Sequence, residues 1–169
     1  FMSRALRFGL VLAVVVGAPA WARDFYFDAT NGSDTNAGTS SVTAWKTLIK
    51  LQALTLGPGD RVFFRAGDTY DAGAEGTLGI RVGSSESGAA GNPILFSSWG
   101  TGARPILRNA RTGSTSIFYV QGSYITIDGL HLTQASDSAI ILETTSQHDV
   151  VRNCEFENLG IGIAVYGQY

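Results

Sequence analysis

Tyr124-Ile125-Thr126-Ile127-Asp128-Gly129-Leu130-His131-Leu132 is answered further along the chain, position for position, by His148-Asp149-Val150-Val151-Arg152-Asn153-Cys154-Glu155-Phe156. Laid over one another at an offset of 24, the two segments put Ile127 on Val151, Gly129 on Asn153, Leu130 on Cys154 and Leu132 on Phe156. The short apolar runs between them repeat as well, at a spacing of 23. Ile117, Ile140 and Ile163 form one series and Tyr119, Leu142 and Val165 a second. A period in the low twenties with every-other-residue alternation describes a solenoid of stacked β coils. Antiparallel sandwiches share the short strands but not the self-alignment, so the expected fold is all-β, a right-handed parallel β-helix. Ile117, Ile140 and Ile163 are then expected to stack inward in one column, and Tyr119, Leu142 and Val165 in the next.

Upstream of the repeat the chain is also built of short apolar runs separated by turn formers. Phe25-Tyr26-Phe27 precedes a stretch rich in Asp, Asn and Gly. Arg61 to Arg65, Leu78 to Val82, Ile94 to Phe96 and Pro105 to Leu107 are strand-like. One segment has helical spacing: Trp45, Leu48, Ile49, Leu51, Leu54 and Leu56, ended by Gly57-Pro58-Gly59. It is expected to be an N-terminal capping α-helix that lays Leu48, Ile49 and Leu51 over the open end of the first coil.

Residues 1–22 have the pattern of a secretory signal peptide. Arg4 and Arg7 precede a short apolar run, Phe8 to Val16, and Ala20-Trp21-Ala22 supplies a cleavage site. Such a run is far short of the ~20 residues that span a bilayer, so no retained membrane anchor is expected. Residues 23–169 are expected to be the cap and first coils of the β-helix, secreted or periplasmic, truncated after a few coils of a longer protein that is a monomer when full length. Removing the two basic residues of the leader leaves ten against 14 acidic ones, a net charge of −4. With no cluster of Lys and Arg there is no phosphate footprint, and nucleic acid is not expected as a partner. The lone Cys154 rules out an intramolecular disulfide and is read as a small inward hydrophobe.

Ala44-Trp45-Lys46-Thr47-Leu48, together with Leu56-Gly57-Pro58-Gly59-Asp60-Arg61-Val62-Phe63-Phe64-Arg65-Ala66-Gly67-Asp68-Thr69-Tyr70, resembles the N-terminal cap of secreted parallel β-helix proteins of the pectate-lyase-like superfamily. The run from Gly91 to Leu107 and the opening Asn31-Gly32-Ser33-Asp34 are similar to the same group. The resemblance implies the right-handed β-helix and polysaccharide chemistry. Its members include lyases, glycoside hydrolases, uronan epimerases and proteins without catalysis. No residue here matches a catalytic motif of that superfamily, so none is named as catalytic.

The candidate sugar contacts are Phe118, Glu143 and Tyr166. Phe118 and Tyr166 are expected outward, with Glu143 stacked beside Tyr166 at the spacing of 23. Asp28, Asn31 and Asp34, with Asn36, carry the oxygens that calcium prefers. They lack EF-hand spacing, and tight turns demand the same residues. No cofactor is evident, and calcium is an expectation only for the full-length protein. Asp128 with Arg152 and His131 with Glu155 are expected as outward ion pairs on adjacent coils. His148 is expected to be solvated at a turn, Trp45 to anchor the cap, and Trp99 to flank a turn.

Three functions fit these residues. The first is the N-terminal part of a secreted polysaccharide (uronan) lyase or glycoside hydrolase, inactive by itself. The others are a non-catalytic surface or adhesion β-helix and a uronan epimerase-like enzyme.

Overall fold

The computed structural model describes residues 22–167, and the leader reading for residues 1–22 therefore lies almost wholly outside the described residues. Strand β1 (Asp24–Phe27) opens the helix. The first full coil is β2 (Arg61–Arg65), β3 (Thr69–Asp71) and β4 (Ile80–Val82), and the second is β5 (Ile94–Trp99), β6 (Ile106–Asn109) and β7 (Phe118–Val120). In the third, β8 (Ile125–Asp128) is followed by the long β9 (His131–Leu142). In the fourth, β10 (Val150–Arg152) is followed by β11 (Glu155–Val165).

Among the described residues every ladder between these strands is parallel. The first sheet runs β1-β2-β5-β8-β10. The two halves of β9 serve two further faces: its start pairs with β6, its end with β7, and β11 covers both. The product is a three-faced parallel β-helix.

Inward side chains form columns along the axis. Phe25, Val62, Phe96, Ile127 and Val151 stack on the first face. Tyr70, Leu107, Leu132 and Phe156 stack on the second. The third holds Ile80, Phe118, Ile140 and Ile163, with Val82, Val120, Leu142 and Val165 beside them. Most of these are fully buried, and each buried aliphatic or aromatic group contributes roughly 1.5–3 kcal/mol.

The last two coils repeat in backbone as well as sequence. Tyr124 and His148, Gly129 and Asn153, and Gln134 and Asn158 are equivalent pairs one coil apart, and all six residues have positive φ. Gly and Asn enter that region at less cost than other residues, which fits the Gly129–Asn153 match between the coils. The offset shortens by one at a bulge, where Gly160 alone lies opposite Ser136 and Asp137. A Cβ on Gly160 would sit 2.7 Å from the Ser136 carbonyl oxygen and 2.6 Å from that of Asp137. Earlier coils are longer: Arg61 lies opposite Leu95 and Ile94 opposite Ile125, offsets of 34 and 31.

Two expectations need correction. The cap helix is one turn, α1 (Ile49–Gln52). Tertiary bonds tie down the residues before it, overriding their helical spacing. Trp45 bridges β1, donating to the Tyr26 carbonyl and accepting from the Asp28 N–H, while Asp34 takes the N–H groups of Lys46 and Thr47. Trp45, Leu48, Leu51 and Leu56 are buried against the first coil, with Trp45 stacked on Phe25 at 5.8 Å, but Ile49 is half exposed. The second correction concerns β7. Its offset from β9 is 22, so Phe118 and Val120 point inward and Tyr119 outward, while Ile140–Ile163 and Leu142–Val165 pair as expected.

Candidate functional site

The outer surface of the third face brings together an aromatic ring, a guanidinium and a carboxylate. Arg81 on β4 and Tyr119 on β7 are register partners, with Ile141 next in the same column. Ile141 is buried although it faces outward. The Arg81 guanidinium carbon lies 4.3 Å from the Tyr119 ring centroid, a cation–π contact. One step beyond each strand lie Glu143 and Tyr166, held by bonds from Glu143 N to the Val120 carbonyl and from Tyr166 N to the Leu142 carbonyl, both 2.9 Å. Glu143 is thus beside Tyr166 as the spacing predicted. Glu143 also faces Tyr119: hydrogen bonding to its carboxylate, then burial, raises the tyrosine hydroxyl above its ordinary range, and Arg81 opposes the rise.

Two hollows flank this face. One, of about 540 Å³, lies between the cap segment and β4, walled by Leu48, Leu51, Leu54, Leu78 and Ile80. Its Glu86 carboxylate accepts from the N–H groups of Leu56 and Gly83 and so is committed to structure. The second, of about 250 Å³, lies against the 109–116 connection. Arg81 borders both.

Phe118, expected here, is fully buried and packs edge-to-face on Phe96 at 5.3 Å, so it is a core residue and not a sugar contact. Tyr119 and Arg81 were missed. Ile117-Phe118-Tyr119-Val120 is apolar throughout, and without alternation nothing in the local sequence chooses which face is inside.

The acidic turn is organised by its own backbone. Asp28 is buried, accepts from the N–H groups of Thr30 and Asn31, and lies 3.5 Å from Arg65. Asp34 binds the N–H groups of Lys46 and Thr47 and the Thr47 hydroxyl. The two carboxylates thus serve different segments. Asn31 Nδ2 turns back to Asp28, and Asn36 Nδ2 to the Ala44 carbonyl. No group of three or more His, Cys, Asp or Glu able to hold a metal ion occurs among the described residues.

Asp128 pairs with Arg152 at 2.9 Å, as the repeat required. His131 is in register with Glu155, yet its Nε2 faces Glu157 at 3.2 Å, while Glu155 faces Arg104. Arg104 is fixed by its bond to the Asn153 carbonyl, which draws Glu155 away. His148 is exposed and stacks on Tyr124, ring centroids 4.6 Å apart. Trp99 packs edge-on against Tyr26, and its indole N–H bonds to the Phe27 carbonyl. Cys154 is partly buried against the core, and burial raises its thiol pKa.

A ring face, a guanidinium and a carboxylate can stack on a pyranose and hydrogen-bond its hydroxyls. Glycoside hydrolysis needs two carboxylates flanking the bond. Glu143 lies beside the Tyr119 ring, and Asp137 at the edge of the second hollow accepts from the Ser114 and Ser138 hydroxyls.

The chain has the fold of pectate-lyase-like parallel β-helix proteins. A rhamnogalacturonan lyase superimposes with a TM-score of 0.64 at 23% identity, over 82% of this chain and 36% of that one. A pectate lyase gives 0.61 at 23% identity, over 85% and 36%. A lacto-N-biosidase of glycoside hydrolase family 136 from Eubacterium ramulus gives 0.61 at 16% identity, over 82% and 27%. In sequence, a lacto-N-biosidase of Bifidobacterium longum is 29% identical over 128 residues, 64% of this chain and 8% of that protein. The chain therefore spans about a twelfth of the curated relative and roughly a third of the solved lyases. No family model matches it.

Proposed function

We propose that this chain forms the cap and first coils of a secreted carbohydrate-active β-helix protein, a polysaccharide lyase or glycoside hydrolase, and that the Arg81–Tyr119–Glu143–Tyr166 face binds glycan. The observation that carries the reading is the outward Tyr119 ring, held between Arg81 and Glu143 on a β-helix. The relatives, by their names a lyase of rhamnogalacturonan, a lyase of pectate and two lacto-N-biosidases, support a carbohydrate as the ligand. With no matched catalytic group, the chain positions a polymer for chemistry done elsewhere. The test pairs this chain with a longer product of the same gene against pectate, alginate, chondroitin and lacto-N-biose-bearing glycans. Ultraviolet absorbance reports unsaturated uronate from a lyase, and new reducing ends report hydrolysis. The longer product is expected to turn over at least one substrate and the short chain none. Lack of both turnover and glycan binding by the longer, folded product would favour the adhesion reading.

A further inference from the structure

Eight arginines fall among the described residues, and six face a carboxylate: Arg23, Arg61, Arg65, Arg104, Arg108 and Arg152. Arg81 and Arg111 have no carboxylate within salt-bridge distance among the described residues, and both border the same 250 Å³ hollow. Arg81 is steadied by the Tyr119 ring. Arg111 reaches only the Thr77 carbonyl, at 3.5 Å. The floor is polar. Asn109 is 1% exposed, spends its Nδ2 on the Ser116 carbonyl at 2.8 Å and leaves its Oδ1 without a partner. That oxygen is buried against Gly73, so Asn109 supports the floor and leaves the two guanidinium groups as the contacts open to a ligand. The nearby Ser114 hydroxyl bonds to Asp137, and that of Thr115 to the Asn109 carbonyl.

We propose that Arg81 and Arg111 form an oxyanion subsite that takes a carboxylate or sulfate group of an acidic glycan, continuous with the Tyr119 ring. The inference rests on the reading that this face binds carbohydrate, and adds that its ligand is charged. Two unpaired guanidinium groups suit a planar or tetrahedral oxyanion, which each can bind through two N–H donors. A neutral glycan would leave both cations unanswered. Since both arginines are exposed, their replacement should not disturb the core.

The experiment titrates the chain calorimetrically with a carboxylated oligosaccharide (oligogalacturonate), a sulfated one (a heparin fragment), a neutral galacto-oligosaccharide and sodium sulfate alone. Folding of every variant is checked by circular dichroism. An acidic oligosaccharide is expected to bind, more weakly as salt rises. R81Q and R111Q should each weaken it roughly tenfold, and the double variant roughly a hundredfold. R152Q, whose parent residue is paired with Asp128, should leave binding unchanged. Preference for the carboxylated or the sulfated ligand identifies the anion, and either supports the subsite. Equal binding of the neutral oligosaccharide, indifferent to the double variant, overturns the subsite and leaves the carbohydrate reading standing. Binding of sulfate alone without any glycan overturns the glycan ligand, and binding of no ligand by the folded chain overturns both readings.

Discussion

Replacing Phe118 and Tyr119 in turn by alanine decides which side of β7 is inside. Phe118 is fully buried, opposite Ile80 and Ile140 in the third-face column and edge-on to Phe96 at 75°. Truncating such a ring costs about 3–5 kcal/mol, of which the aromatic contact supplies about 0.5–1.5. Tyr119 is partly exposed, and its loss removes a cation–π contact worth about 0.5–1 kcal/mol with little core. The two variants should therefore differ by at least about 2 kcal/mol. In urea, with m near 1–3 kcal/mol/M, that separates their midpoints by about 0.7 M or more at unchanged m. In thermal melts the Phe118→Ala protein should fall roughly 10 °C below its parent. A Tyr119→Ala protein as destabilised as Phe118→Ala would put Tyr119 in the core and dismantle the proposed face.

Burial pushes the Glu75 carboxyl up to about 7 while it accepts from the Leu48 N–H. Its folded pKa lies above the unfolded value, so stability is greatest below about pH 4.5 and falls as pH rises towards 7, by up to ~3 kcal/mol. Glu75→Gln should flatten that part of the stability–pH curve and melt above the parent at pH 8; an unchanged slope would mean the group titrates normally. Gly160→Ala, forced against the Ser136 and Asp137 carbonyls, should lose about 1–3 kcal/mol in denaturant titration. A neutral result would show that the bulge relaxes freely. Glu143→Gln should bring Tyr119 ionisation, followed by ultraviolet absorbance, back down in pH. No movement would separate the two side chains.

The solenoid was legible because its last two coils, β8–β9 and β10–β11, keep one constant offset until Gly160. Inward Ile127, Leu130 and Leu132 alternate with polar neighbours there, so period and parity were fixed together. The earlier coils hid their period in loops, with offsets of 34 and 31 that no self-alignment can find. Trp45 to Leu56 looked helical because cap side chains need only one buried face, and neither the bridge of Trp45 to Phe27 nor the bond from Leu48 to Glu75 is a local signal. Glu143 and Tyr166 were placed side by side because they follow the well-patterned pair Leu142 and Val165. Arg81 was invisible for a different reason: its partner Tyr119 lies a long coil further on, at an offset that neither the 34 and 31 of the first face nor the repeat itself shares.

The choice between Phe118 and Tyr119 follows from what a buried hydroxyl requires. Tyr70 shows the condition under which this fold buries a tyrosine. Its ring is wholly inside, and its hydroxyl donates to the Phe27 carbonyl at 2.9 Å and accepts from the Arg65 N–H at 3.1 Å. Both partners are backbone groups at the ends of β1 and β2, where strands give way to turns and leave hydrogen-bonding capacity free. The column that β7 would enter is lined instead by Ile80, Ile140 and Ile163 with Val82 and Leu142, whose backbones are committed to the parallel ladders. A tyrosine there would carry an unpaired hydroxyl, at a cost of about 1–3 kcal/mol, while phenylalanine fills the same space without one. Phe118 therefore goes in, and alternation turns Tyr119 out. Once outward, its ring lies in register with Arg81 and its hydroxyl beside Glu143, so the requirements of the core determine which groups the face presents to a sugar.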